Sequence, residues 1–104
     1  MPDTPQHYQK LQQRYKAVMD SLNQLGKALH EAGPLEEKQS QLVQLAAAAA
    51  QRSEGAVHSH TRRALKAGAT AEEVRHCLVL LISTLGYPTV AAALSWADDI
   101  IEKK

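Results

Sequence analysis

The residues of this chain best suited to chemistry lie in Ser53-Glu54-Gly55-Ala56-Val57-His58-Ser59-His60, which runs unbroken into an alanine-rich helix closed by Gly68. Helical spacing places Ser53, Ala56 and His60 on one face, with an imidazole close to the helix start. A neutral imidazole near pH 7 accepts and returns a proton with little tuning, which makes His60 the candidate general acid or base. Its plainer role is to satisfy a buried backbone group or a subunit contact. Glu54 is a second titratable group nearby. His58 and His60 together suggest a metal, but residues two apart on a helix point about 200° apart, so even with His76 and Glu54 no metal site is expected. Ser53 is no acyl nucleophile for His60, because seven residues of helix separate them by about 10 Å.

Helices must position these groups. Apolar residues recur at Tyr8, Leu11, Tyr15, Val18, Leu22, Leu25 and Leu29 in alternating steps of three and four, an amphipathic seam suited to core packing or a subunit contact. Ser21 with Gln24 reads as a capping box, which predicts a break near Asp20. Gly33-Pro34 ends this region, and Glu36 to Gln51 reads as a second helix whose run Ala46 to Ala50 offers a close-packing surface. After an interruption around Arg52 to Gly55, Ser53 is a suitable N-cap for the histidine-bearing helix. Gly68 ends that helix, and Thr70 with Glu73 forms a capping box that opens the next. There Val74, Cys77, Leu78, Leu81 and Leu85 line one face, while Val79, Leu80 and Ile82 make the rest apolar. Such a helix is expected to be buried almost all round, at the centre of the fold, at a subunit interface, or both. Gly86-Tyr87-Pro88 breaks it, and Thr89 to Ile101 forms the last helix. No stretch alternates as a strand does, so the fold is read as all-α.

Bulk properties narrow the function. A chain of 104 residues is read as one domain with a modest core, and seventeen alanines with no Phe mean that close helix approach replaces filling by large side chains. Such a chain gains by burying more surface between subunits. A formal charge of +1 and scattered basic residues argue against nucleic acid as a partner. The N-terminal residues show no leader pattern, and the longest apolar runs, Leu45 to Ala50 and Cys77 to Ile82, are too short to span a bilayer. A soluble, cytoplasmic protein without membrane contact is expected. Cys77 is the sole cysteine, so no intrachain disulfide forms, and its apolar surroundings suggest a buried, inert thiol.

From Gly33 to Ile101 the chain resembles the carboxymuconolactone decarboxylase and alkylhydroperoxidase D superfamily. That pattern has an acidic residue, Cys-x-x-Cys twelve positions later, His after three more residues, a Gly-Ala-Thr-x-Glu-Glu turn and a Gly-[Phe/Tyr/Gly]-Pro turn. The corresponding residues here are Gln41, Ser53, Ala56 and His60, then Gly68-Ala69-Thr70-Ala71-Glu72-Glu73 and Gly86-Tyr87-Pro88. The resemblance implies a bundle of about five to six helices, with residues 1–33 forming an N-terminal helical region and 34–104 the family core, assembled as a homo-trimer or homo-hexamer. Of the peroxidase constellation only His60 remains. Thiol peroxidase chemistry needs a thiolate to attack the O–O bond and a second thiol to resolve the sulfenic product, and Ser53, Ala56 and Gln41 supply neither a thiol nor a relay carboxylate.

Gly86-Tyr87-Pro88 looks more like the Gly-Phe-Pro of the decarboxylase branch, which does not use the cysteine pair. By that resemblance His60 and Glu54 carry cofactor-free acid–base chemistry on a small carboxylate or lactone, with Arg52, Arg62, Arg63 and Ser53 binding the substrate. The alternative is a family scaffold that has lost catalysis and acts by binding or assembly.

Overall fold

The computed structural model describes residues 6–103. Its helices fall into two compact units, Met1–Pro34 and Leu35–Lys104. The first holds α1 (Gln6–Arg14) and α2 (Lys16–Glu31), and the second holds α3 (Glu37–Ala50), α4 (Glu54–Lys66), α5 (Ala71–Val79), the single turn α6 (Ile82–Leu85) and α7 (Tyr87–Ile101). No strand occurs among the described residues, so the all-α reading holds.

In the first unit the break falls at Tyr15, whose φ of −127° and ψ of 54° leave the helical region, and not near Asp20. Asp20 lies inside α2 because its carboxylate is held there: Lys16, one turn earlier, donates at 2.8 Å and Gln12 Nε2 of α1 donates at 2.9 Å. The Lys16 hydrogen bond, foremost among these causes, keeps the Asp20 carboxyl below its ordinary value. Tyr8 Oη also donates to Asn23 Oδ1 at 3.2 Å, so polar side chains tie α1 to α2.

In the second unit α4 packs chiefly against α3 and then α7. Leu45, Val57, Val74, Leu78 and Val90 are fully buried, with Ala48, Ala49, Ala64, Ala93 and Ala97 buried among the packed helices. Side chains this small let backbones approach closely, so dispersion between well-packed helices takes the place of bulky filling.

The connections follow from backbone chemistry. At the end of α3, Arg52 N–H donates to Ala49 O and Ser53 N–H to Ala48 O; at the end of α4, Gly68 N–H donates to Leu65 O and Ala69 N–H to Ala64 O. Both are Schellman turns, which need a residue at positive φ. Gly68 supplies it at 104°, whereas Arg52, a residue with a Cβ, is held at 55°. The capping box opening α5 is complete, with Thr70 Oγ1 accepting from Glu73 N–H at 3.0 Å and Glu73 Oε1 from Thr70 N–H at 2.9 Å.

The apolar stretch after Val74 departs from the expected burial. Helix α5 stops at Val79 and turns through Leu80 and Leu81 before α6. That turn swings Val79, Leu80 and Ile82 outward, 44%, 61% and 38% exposed, so within one chain the segment is buried on one side only. Gly86 then adopts φ 90° and ψ 152°, a region essentially reserved for glycine, and α7 starts at Tyr87, two residues earlier than the sequence suggests. Among the described residues no helix is long and apolar enough to cross a membrane.

Candidate functional site

Gln41 organises the site. It sits one turn into α3 and is 2% exposed, so both ends of its amide need partners. Both have them: Nε2 donates to Glu37 Oε2 at 2.7 Å, and Oε1 is hydrogen-bonded to His60 Nδ1 of α4 at 2.8 Å. Glu37 and Gln41 are four residues apart and therefore neighbours on one helix face. The result is a line of side chains, carboxylate to amide to imidazole, running from α3 to α4.

Arg63 follows His60 by three residues, on the adjoining part of the same α4 surface. A shallow recess of about 300 Å³ is lined by Glu37, Arg63, Lys66 and Ala67. Glu37 is thus common to the recess and to the polar line that ends on His60. The guanidinium and ammonium beside it form a cationic wall suited to a carboxylate, with Arg offering a planar fork and Lys a point charge.

The other candidate residues are placed differently. Ser53 caps α4, its Oγ accepting from Ala56 N–H at 3.3 Å. Glu54 turns toward His58, with 3.9 Å between Oε2 and Nε2, and not toward His60. His58 Nε2 in turn meets Asp99 Oδ2 of α7 at 3.0 Å. Arg62 is half-buried on α4, and Arg52 is exposed at the α3–α4 turn; neither lines the recess. The ligand atoms of Glu54, His58 and Asp99 lie within 4.8 Å of one another, so these three could reach a common cation, a grouping that pairs Glu54 with a residue of α7 that local spacing does not reveal. Cys77 is half-buried on α5, its Sγ donates to Leu42 O at 3.4 Å, and burial pushes its thiol above the ordinary value.

A carboxymuconolactone decarboxylase family model matches residues 16–99. The chain belongs to this family. Its fold is similar to the crystal structure of a carboxymuconolactone decarboxylase family protein from Legionella pneumophila, with a TM-score of 0.76 and 24% identity over 91% of this chain and 88% of that one. No curated protein matches the chain. As a family member it carries one cysteine, away from α4, and the two positions at the start of α4 where the superfamily pattern has a cysteine pair hold the N-cap Ser53 and Ala56, joined in a helix cap.

Sequence reasoning named His60 as a candidate and Gln41 only as the residue standing where the superfamily pattern has an acidic one, and it did not single out Glu37, Lys66 or Asp99. Glu37 carried a signal, since Glu-x-x-x-Gln on a helix makes the two side chains neighbours. Asp99 carried none, because only the packing of α4 on α7 brings it to His58.

Proposed function

We propose that this family member performs cofactor-free acid–base chemistry on a small carboxylate or lactone, with His60 as the proton carrier and Arg63 and Lys66 as the carboxylate-binding pair. The observation that carries this reading is the buried Gln41 amide, which holds the His60 ring in one orientation and is bonded at its other end to Glu37, a wall of the cationic recess that His60 itself does not line. A polar group buried this completely fixes a partner's geometry, and fixed geometry is what a proton-transfer group requires.

For a carboxylated lactone the step is a decarboxylation. The bond from carbon to the carboxylate breaks, carbon dioxide leaves, and the electron pair passes into the conjugated lactone carbonyl. The resulting carbanion takes a proton from the imidazolium, which solvent then restores. One proton enters and one carbon dioxide leaves, so no oxidant, reductant or metal is needed. Peroxide reduction fits poorly, because the Ser53 oxygen stays protonated at neutral pH and Ala56 has no reactive group.

Self-assembly belongs to the same proposal. Val79, Leu80, Ile82 and Tyr87 are exposed on the second unit, an apolar surface that a further copy of the chain would cover. Leu80→Lys is expected to lower the subunit count measured by light scattering.

The activity test offers the purified chain a panel of carboxylated lactones and follows carbon dioxide release, beside an organic hydroperoxide with a dithiol reductant. Turnover of a lactone that falls by about 10²- to 10⁴-fold in His60→Ala, with oligomer size unchanged, is expected. Thiol-dependent peroxide consumption would overturn the reading. Turnover indifferent to His60→Ala would reject His60 as the proton carrier, and none across the panel would favour a scaffold.

A further inference from the structure

We infer that Glu37 is a positioning residue for His60: acting through the Gln41 amide, it fixes the neutral imidazole as the tautomer protonated on Nδ1 and so makes Nε2 the proton-transferring nitrogen. The argument is one of donors and acceptors. An ionised carboxylate only accepts, so Glu37 at 2.7 Å requires the NH₂ end of Gln41 to face it. The amide cannot then turn over, because the reverse orientation would set two acceptor oxygens against each other at that distance. Its carbonyl end therefore faces His60 Nδ1 at 2.8 Å, and a carbonyl oxygen also only accepts. Nδ1 must carry the hydrogen. In the neutral ring the lone pair then resides on Nε2.

Neither element of this line suffices alone. A glutamine amide offers a donor at one end and an acceptor at the other, so Gln41 by itself would suit either tautomer. Glu37 removes the choice, and it does so from α3 through its hydrogen bond to the amide. Burial makes the choice expensive to reverse, since a misoriented Gln41, 2% exposed, would leave two polar ends unsatisfied out of reach of water. The amide also transmits orientation without placing a formal charge against the ring, which a carboxylate at position 41 would do.

The catalytic part of this inference rests on His60 being the proton carrier; the tautomer itself does not. The test is a long-range proton–nitrogen NMR spectrum of His60 in the full chain, taken above the pH at which the ring titrates. The wild type should show a pyrrole-type Nδ1 and a pyridine-type Nε2. In Glu37→Gln, residue 37 can donate or accept, the Gln41 amide is released, and His60 should become a mixture of both tautomers while the circular dichroism spectrum is unchanged. Glu37→Asp keeps an acceptor on a shorter arm and should restore the Nδ1–H form in part.

With an active substrate, Glu37→Gln should lower kcat about tenfold through lost orientation of the proton carrier, and KM should not rise, because the substitution removes a negative charge from the recess. A wild-type ring protonated on Nε2, or a Glu37→Gln ring still wholly Nδ1–H, would overturn the inference. The expected tautomers in a protein inert toward every lactone would leave the positioning intact and reject the proposed function instead.

Discussion

His58 and His60 are two residues apart on α4, and the helix sends them to different neighbours. His58 reaches α7, where Asp99 lies 3.0 Å from its Nε2 with Glu54 at 3.9 Å, an ion-pair setting that is largely exposed on its carboxylate side. His60 reaches α3 and meets the neutral, buried amide of Gln41. Exposed ion pairs contribute little to stability and tolerate change, whereas a buried amide with both ends bonded dictates orientation and tolerates almost none. Residue type alone would rank the two histidines equally; what separates them is whether the partner is charged and wet or neutral and buried.

That contrast breaks most visibly in kinetics. His60→Ala should cost about 10²- to 10⁴-fold in kcat/KM on any lactone the chain turns over, while His58→Ala should change it less than about twofold and cost under about 1 kcal/mol in a denaturation experiment. Equal losses in the two variants would erase the distinction.

Gln41→Leu tests the buried side of the comparison by stability. It removes the amide to which both Glu37 and His60 Nδ1 are hydrogen-bonded, and urea unfolding should show a loss of about 1–3 kcal/mol, where truncating exposed Asp99 to Ala should cost well under that.

The two turns that bracket α4 sharpen the same lesson for the backbone. Gly68→Ala places a Cβ at φ 104° with nothing within 4 Å of it, so the expected loss of about 1–2 kcal/mol comes from backbone strain alone. Arg52→Gly relieves a side chain held at φ 55° and should add about 1 kcal/mol. A stabilisation that came with lost activity would show that Arg52 serves the substrate after all.

The smallest effect is electrostatic. The Glu73 carboxyl is held below its ordinary value, first by the Thr70 backbone N–H and then by the Lys38 ammonium. Because the folded value is depressed, this contribution is complete above the ordinary carboxylate range and is lost as the pH falls through the lowered value. The melting temperature of Glu73→Gln should therefore be lower than wild type at pH 7 and converge with it in acid.

Much of the second unit was legible in the sequence because its signals are local. Thr70 with Glu73 needs only four residues to form its box, and Gly68 and Gly86 mark positive φ where glycine is the residue best suited to it. Ser53 was read correctly as an N-cap for the same reason. Local reading failed where distant partners decide. Ser21 and Gln24 have the spacing of a cap, yet Asp20 is held inside α2 by Lys16 and Gln12, and the break moved to Tyr15. An apolar run such as Val79 to Ile82 states that burial is wanted without stating by what, and the turn after α5 leaves it outside. At the site, His60 and Gln41 could be named from pattern, while the meeting of Glu54 with Asp99 depends on α4 packing against α7.

The most direct test of the central claim, that His60 held by the Gln41 amide is the acid–base group, is the pH profile of kcat/KM for wild type beside the double exchange Glu37→Gln with Gln41→Glu. That exchange keeps a donor facing an acceptor between positions 37 and 41 and an acceptor against Nδ1, but moves the negative charge into contact with the ring, which favours the protonated form and should move the limb belonging to His60 to higher pH. A limb that stays in place while the variant remains folded and active would contradict the account.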